Sequence, residues 1–179
     1  MFLTAKRTTA AALTVLGLLA SSGAWADEPA TATPSQPPTL VNRVVDHATA
    51  SVASVQEMLG KALDLIGIRY RRGGSSPETG FDCSGFVNHV FREGLGLYLP
   101  HNAKQISQEG EVVSKADLRP GDLVFFNTMR RAFSHVGIYL GDNKFVHAPR
   151  SGGSVRVEDM NESYWKKRFN GARRITAED

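Results

Sequence analysis

The chain has 179 residues and a formal charge of +3, with 21 Lys and Arg against 18 Asp and Glu. That length suits one domain with a substantial core, and so small an imbalance argues against a nucleic-acid partner, which needs a strong basic patch. A single cysteine, Cys83, excludes an internal disulfide, so packing alone must hold the fold.

The N-terminus predicts export. Lys6 and Arg7 form a basic start, Thr8–Ala20 is uncharged and apolar or small, and Ala24-Trp25-Ala26 precedes Asp27 and Glu28. These are the three parts of a secretory signal peptide over residues 1–26, with Asp27 as the first mature residue. An uncleaved anchor is the alternative, but the uncharged run is shorter than the ~20 residues a bilayer requires. No Cys stands at the cleavage point to take a lipid, so the mature form is expected without a stable membrane anchor, in the periplasm or secreted. It would keep 153 residues and a charge of +1, because Lys6 and Arg7 leave with the leader.

Residues 27–40 have four prolines among Ala, Thr and Ser and no apolar period, the composition of an extended tether. Residues 41–54 are weakly amphipathic, leaving open a flanking helix or a partly ordered arm. A domain is expected over 55–179. It opens with a helical stripe of Met58, Leu59, Ala62, Leu63 and Ile66. A glycine-rich loop, Ile68 to Gly80, leads into Phe81-Asp82-Cys83-Ser84-Gly85-Phe86-Val87. Phe86, Val87, Val90 and Phe91 then lie on one face of a helix predicted to end near Gly94. Asp82 is placed to cap it, which makes Cys83 its first residue.

The second half reads as sheet. Pro120-Gly121 fits a type II turn before an apolar strand, Leu123–Phe126. Ser134–Leu140 alternates, Gly141-Asp142-Asn143 turns, Lys144–Ala148 returns, and Val155–Val157 is a further candidate strand. One helical block followed by strands predicts an α+β fold.

A free cysteine is usually a small buried apolar residue. In an exported chain, at a helix start, a functional thiol explains it better. The helix N-terminus is expected to lower the thiol pKa, and a nearby His would hold the thiolate as an ion pair and protonate a leaving group. Of the five histidines, His47 is expected to face solvent and His89 to point away from Cys83, while His101 follows Leu99-Pro100. His135 and His147 lie on two strands of one hairpin. They share a face only if Gly137 lies opposite His147, through a three-residue loop or an equivalent bulge; an Ile138–His147 pair would separate them. Gly137 would then leave open space between the rings. A zinc site of Cys83, His135 and His147 is a weaker alternative, since no paired metal-ligand spacing occurs, and no metal or cofactor is expected.

With Tyr70-Arg71-Arg72-Gly73-Gly74, the Cys83 segment, Leu118–Phe126, His135–Gly141 and Phe145–Ala148 in this order, the chain resembles the NlpC family of papain-like cysteine peptidases of bacterial cell walls. The tail from Met160 to Phe169 is similar to Spr-type murein endopeptidases. The resemblance covers about Val55 to Ile175. It implies Cys83 as nucleophile, His135 as general base and acid, and His147 as the residue orienting it. Tyr70 and the Cys83 amide would stabilise an oxyanion, and Asp82 and Ser84 would shape the helix start and pocket. A monomer acting on peptidoglycan peptides is expected, at the D-alanyl–diaminopimelate cross-link rather than the γ-D-glutamyl–diaminopimelate bond. A wall-binding module or a thiol acyltransferase on the same fold are the other readings. His101 stands where the family usually has Arg, and Spr-type relatives are commonly lipid-anchored, which this sequence does not match.

Overall fold

A computed structural model describes residues 40–128, 130–150 and 152–176. The leader and most of the tether lie outside these residues. Among those described, no helix is long and apolar enough to cross a membrane.

Helix α1 (Leu40–Asp64) runs unbroken for 25 residues, across the boundary between the arm and the domain. Only part of the expected stripe is core: Met58, Leu59 and Ala62 are buried, whereas Leu63 is exposed within the helix and Ile66 is exposed beyond its end at Asp64. A short hairpin, β1 (Ser75–Ser76) and β2 (Gly80–Phe81), precedes α2 (Cys83–Leu95). Helix α2 ends at Leu95, near Gly94 as expected, and the capping residue is Gly96, which takes φ 70°. Gly94 is instead a contact point, since a Cβ there would lie 2.7 Å from the Met58 side chain. Its missing side chain lets α1 approach α2 closely, while Gly96 supplies the left-handed cap.

After a short α3 (Ala103–Ile106) come β3 (Glu111–Val113), β4 (Leu123–Phe126), β5 (His135–Gly141), β6 (Lys144–His147) and β7 (Arg156–Asp159). The helix α4 (Ser163–Lys166) and the strand β8 (Phe169–Arg174) follow. Six strands form an antiparallel sheet in the order β3-β8-β4-β5-β6-β7. Both its faces are covered. Leu123, Phe125, Val136, Ile138 and Val146 pack with Phe86, Val87, Val90 and Phe91 of α2 and with α1. Val124, Phe126, Phe145 and Ala172 pack on the other face with Met160 and with Trp165 of α4. That double burial is why β4 reads Leu-Val-Phe-Phe without alternation. Each large side chain fully buried in these layers contributes ~1.5–3 kcal/mol relative to exposure.

The turn before β4 is type II as expected: the Asp122 amide donates to the Arg119 carbonyl at 3.0 Å, and Gly121 has φ 97°. Asp122, only 2% exposed, is held by Arg174 of β8, whose Nε and Nη2 each lie 2.8 Å from a different carboxylate oxygen.

Candidate active site

The start of α2 is built around the Asp82 carboxylate. Its Oδ1 accepts from the Gly85 amide at 2.7 Å, which makes Asp82 the N-cap and Cys83 the first helical residue. Ser84 Oγ donates to the same oxygen at 3.0 Å, and the Gly73 amide donates to Oδ2 at 2.9 Å. His101 Nε2 lies 3.1 Å from Oδ1, so this residue joins the cap at the helix start. Gly85 and Gly74 are needed there, because a Cβ on Gly85 would run into the Gly74 carbonyl oxygen and one on Gly74 into the Gly80 carbonyl oxygen. Tyr70 is placed by its amide, which donates to the Gly153 carbonyl at 2.7 Å, and by a bridge to Phe81. Burial, then the charges of Cys83 and Asp82, raise its pKa, so its hydroxyl keeps its proton through neutral pH.

The hairpin brings the two histidines together by a bulge. Asp142 and Asn143, with φ 48° and 59°, form a two-residue type I′ loop that pairs Gly141 with Lys144. Leu140 is then the extra residue, and pairing resumes as Tyr139–Phe145 and Ile138–Val146. Gly137 thereby faces His147, and His135 Nε2 lies 2.7 Å from His147 Nδ1. The space at Gly137 is not open. A Cβ there would lie 2.8 Å from the Phe145 ring and 2.9 Å from the Val146 carbonyl oxygen.

Two residues that the sequence did not flag complete this side. Glu158 on β7 places Oε2 at 3.0 Å from His147 Nε2, and Arg156 Nε binds Glu158 Oε1 at 2.6 Å. Trp165 stacks on His135 with centroids 5.7 Å apart and meets His147 edge-on at 5.1 Å. Antiparallel pairing of β6 with β7 sets His147 opposite Arg156, so a reading of β7 through Asp159 would have shown Glu158 on the same side. Trp165 lay inside the tail already singled out for its similarity, with no signal of what it touches.

Burial holds His135 neutral, its pKa pushed down to about 3, and the positive form of His147 would oppose a second charge beside it. Burial also lowers His147, against the pull of Glu158. Burial opposes ionisation of Glu158 too, but the hydrogen bonds from His147 and Arg156 outweigh it and hold the carboxyl down to about 2. The four groups therefore rest as an ionised Glu158 carboxylate, its Arg156 partner and two neutral imidazoles. His135 Nε2 and both ring nitrogens of His147 are engaged in hydrogen bonds, which leaves less for the alternative zinc site to use.

Cys83 is half-buried. Burial, followed by the Asp82 charge, pushes its thiol up to about 11, against the backbone amides of Val136, Ser84 and Cys83. The helix terminus does favour the thiolate, as the sequence suggested, but desolvation and the capping carboxylate outweigh it. Among the described residues no hydrogen bond joins the thiol to His135; its contact on β5 is the backbone of the next residue, Val136. Burial thus opposes both charged forms, the thiolate and the imidazolium, and so runs against the expected ion pair. His89 stays out of the site, bonded to Arg92 at 3.2 Å and packed on Phe81. The side chain of His47 lies outside the described residues.

Comparison with known proteins places these features in context. The NlpC/P60 family model matches residues 67–174. The chain is 51% identical over 130 residues to a murein DD-endopeptidase/murein LD-carboxypeptidase, MepS, of Escherichia coli, covering 73% of this chain and 68% of that protein. It is 46% identical over 131 residues to a gamma-DL-glutamyl hydrolase of Bacillus subtilis, of which it spans only 30% while 73% of this chain is covered. A solved NlpC/P60 family protein from Bacillus cereus superposes with a TM-score of 0.62 at 32% identity, covering 67% of this chain and 39% of that one.

Proposed function

The chain belongs to the NlpC/P60 family with a papain-like α+β fold, and from that premise we propose that it is an exported cysteine endopeptidase of bacterial cell-wall peptides. The observation that carries this reading is the His135–His147–Glu158 chain of hydrogen bonds, set beside a thiol at the N-terminus of a helix.

The chemistry follows from the atoms left free. His135 Nε2 is committed to His147, so Nδ1 is the nitrogen that takes the Cys83 proton as Sγ attacks the peptide carbonyl carbon. A sulfur–carbon bond forms and the carbonyl electrons move onto oxygen. The Tyr70 hydroxyl and the Cys83 amide are the donors for that oxyanion. Collapse breaks the carbon–nitrogen bond, and His135 returns the proton to the departing amine, leaving a thioester. His135 then deprotonates a water that attacks the thioester, and the thiol leaves with that proton. Asp82 and Ser84 hold the helix start and so fix where Sγ sits; they need not exchange a proton.

The bond favoured is the D-alanyl–diaminopimelate cross-link, because the relative with the larger shared fraction is named a DD-endopeptidase. The γ-D-glutamyl–diaminopimelate bond is the second reading, supported by the name of the hydrolase at 46% identity. The leader over residues 1–26 would deliver the enzyme to the periplasm or outside the cell. Digestion of purified muropeptides with the wild type and Cys83→Ala, read by mass spectrometry, tests both points. Cleaved cross-links from the wild type alone are expected. Equal product from both removes Cys83 as nucleophile, and product cut only at γ-D-glutamyl bonds moves the specificity to the second reading.

A further inference from the structure

The histidine chain raises a question of direction. A neutral imidazole has one N–H and one lone pair, so each of the two rings can donate at only one nitrogen. The Glu158 carboxylate can only accept. At 3.0 Å it therefore requires the proton of His147 on Nε2, which leaves His147 Nδ1 bare. That bare nitrogen, 2.7 Å from His135 Nε2, must in turn accept, so His135 carries its proton on Nε2 and keeps Nδ1 bare. One carboxylate at the end of the chain thus sets the proton positions of both rings.

We propose that Glu158 is a positioning residue that fixes the tautomers of His147 and His135, so that His135 Nδ1 stands unprotonated as the base for Cys83. This deepens the peptidase reading above and rests on it for the role of His135. The structure holds Glu158 for the task. Arg156 binds the other carboxylate oxygen at 2.6 Å, and the β6–β7 ladder fixes its strand against that of His147. Trp165 covers both rings, which keeps water from supplying an alternative partner. The charged and titratable groups that act on this chain are His147 from β6 and Glu158 and Arg156 from β7, while Cys83 of α2 meets β5 at the backbone of Val136. None of them besides Glu158 is an acceptor for His147 Nε2. Without the carboxylate, His147 is free to carry its proton on Nδ1. His135 Nε2 would then have to accept, and its proton would move to Nδ1, where it blocks the base. When His135 takes the Cys83 proton, the ionised carboxylate at the end of the chain stabilises the positive charge.

The test is the histidine side-chain NMR spectrum of the nitrogen-15-labelled protein at neutral pH, which distinguishes the tautomers without any turnover. Both rings should be protonated at Nε2. In Glu158→Gln, whose amide can also donate, the His147 pattern should shift toward the Nδ1-protonated form. The kcat on wall peptides should fall about 10- to 100-fold with KM little changed, the scale of a misplaced general base. Glu158→Asp should recover part of both. Nδ1 protonation of His147 in the wild type overturns the assignment, even if no variant folds. So does an unchanged tautomer pattern in Glu158→Gln, whatever its kcat. A wild type with the expected tautomers and no action on wall peptides would instead refute the peptidase reading and leave the proton order standing.

Discussion

Gly137→Ala is the sharpest single test of how the hairpin makes the site. The added methyl would lie 2.8 Å from Phe145 Cδ2, 2.9 Å from the Val146 carbonyl oxygen and 3.1 Å from His147 Cβ. The Phe145 ring is fully buried and packed on Phe126 and Trp165, so it has little room to move. The Val146 oxygen is backbone in the β5–β6 ladder, so relief must come from spreading the two strands. Overpacking of this kind costs ~1–3 kcal/mol. Against it, Ala restricts the unfolded chain more than Gly and returns ~0.4–1 kcal/mol. The net expectation is a loss of about 1–2 kcal/mol, which lowers the melting temperature by roughly 2–8 °C for a domain of this size. Activity should suffer more than stability suggests, because a spread of half an ångström would stretch the 2.7 Å His135–His147 bond to the weak end of its range. Denaturant unfolding gives the first quantity and muropeptide cleavage the second. A variant with wild-type midpoint and wild-type kcat would refute the close-approach argument for Gly137.

Three other outcomes follow from the same geometry. His135 is neutral in the fold with a pKa near 3, whereas an unfolded His takes its proton near 6.5, so its stabilising effect is complete above 6.5 and is lost as pH falls. This contributes a loss of about 2 kcal/mol between pH 7.5 and 5, with His147 acting in the same direction, and a denaturation midpoint constant over that range would contradict it. Cys83 should react with iodoacetamide at a rate that climbs beyond the ordinary thiol range toward pH 11, and a plateau below pH 7 would restore the resting ion pair. Arg174→Ala should cost ~3–5 kcal/mol by stranding the buried Asp122 carboxylate. The double variant Arg174→Met with Asp122→Asn should recover part of that loss, and a silent single variant would count against the clamp.

What could be read in the sequence was what short-range chemistry dictates. Asp82 caps because an acidic side chain before a helix finds free amides, Pro120-Gly121 turns because of its backbone preferences, and β4 announces itself by hydrophobicity alone. The pairing of His135 with His147 was legible only as a choice between registers, and Leu140 decided it by standing outside the ladder. Long-range contributions were not legible. Glu158 joins the site through a strand whose length the sequence understated, and Trp165 reaches it from a one-turn helix on the far face of the sheet. β3 and β8 escaped notice because the exposed residues of β3 and the two arginines of β8 mask the alternation. The thiol failed in a different way. Its helix-end placement was read correctly, but the sign of its shift depends on how much protein surrounds it, which no local pattern reports.

The bulge at Leu140 also imposes a parity on the hairpin. Each residue added to or removed from the 140–143 connection turns His147 through half a revolution about its strand, carrying it from the layer of Trp165 into that of Phe86. Single-residue insertions there should therefore abolish activity while a compensating second residue restores it, so that function alternates between odd and even lengths. For anyone grafting this hairpin into another scaffold, the number of residues in the connection matters more than which residues they are.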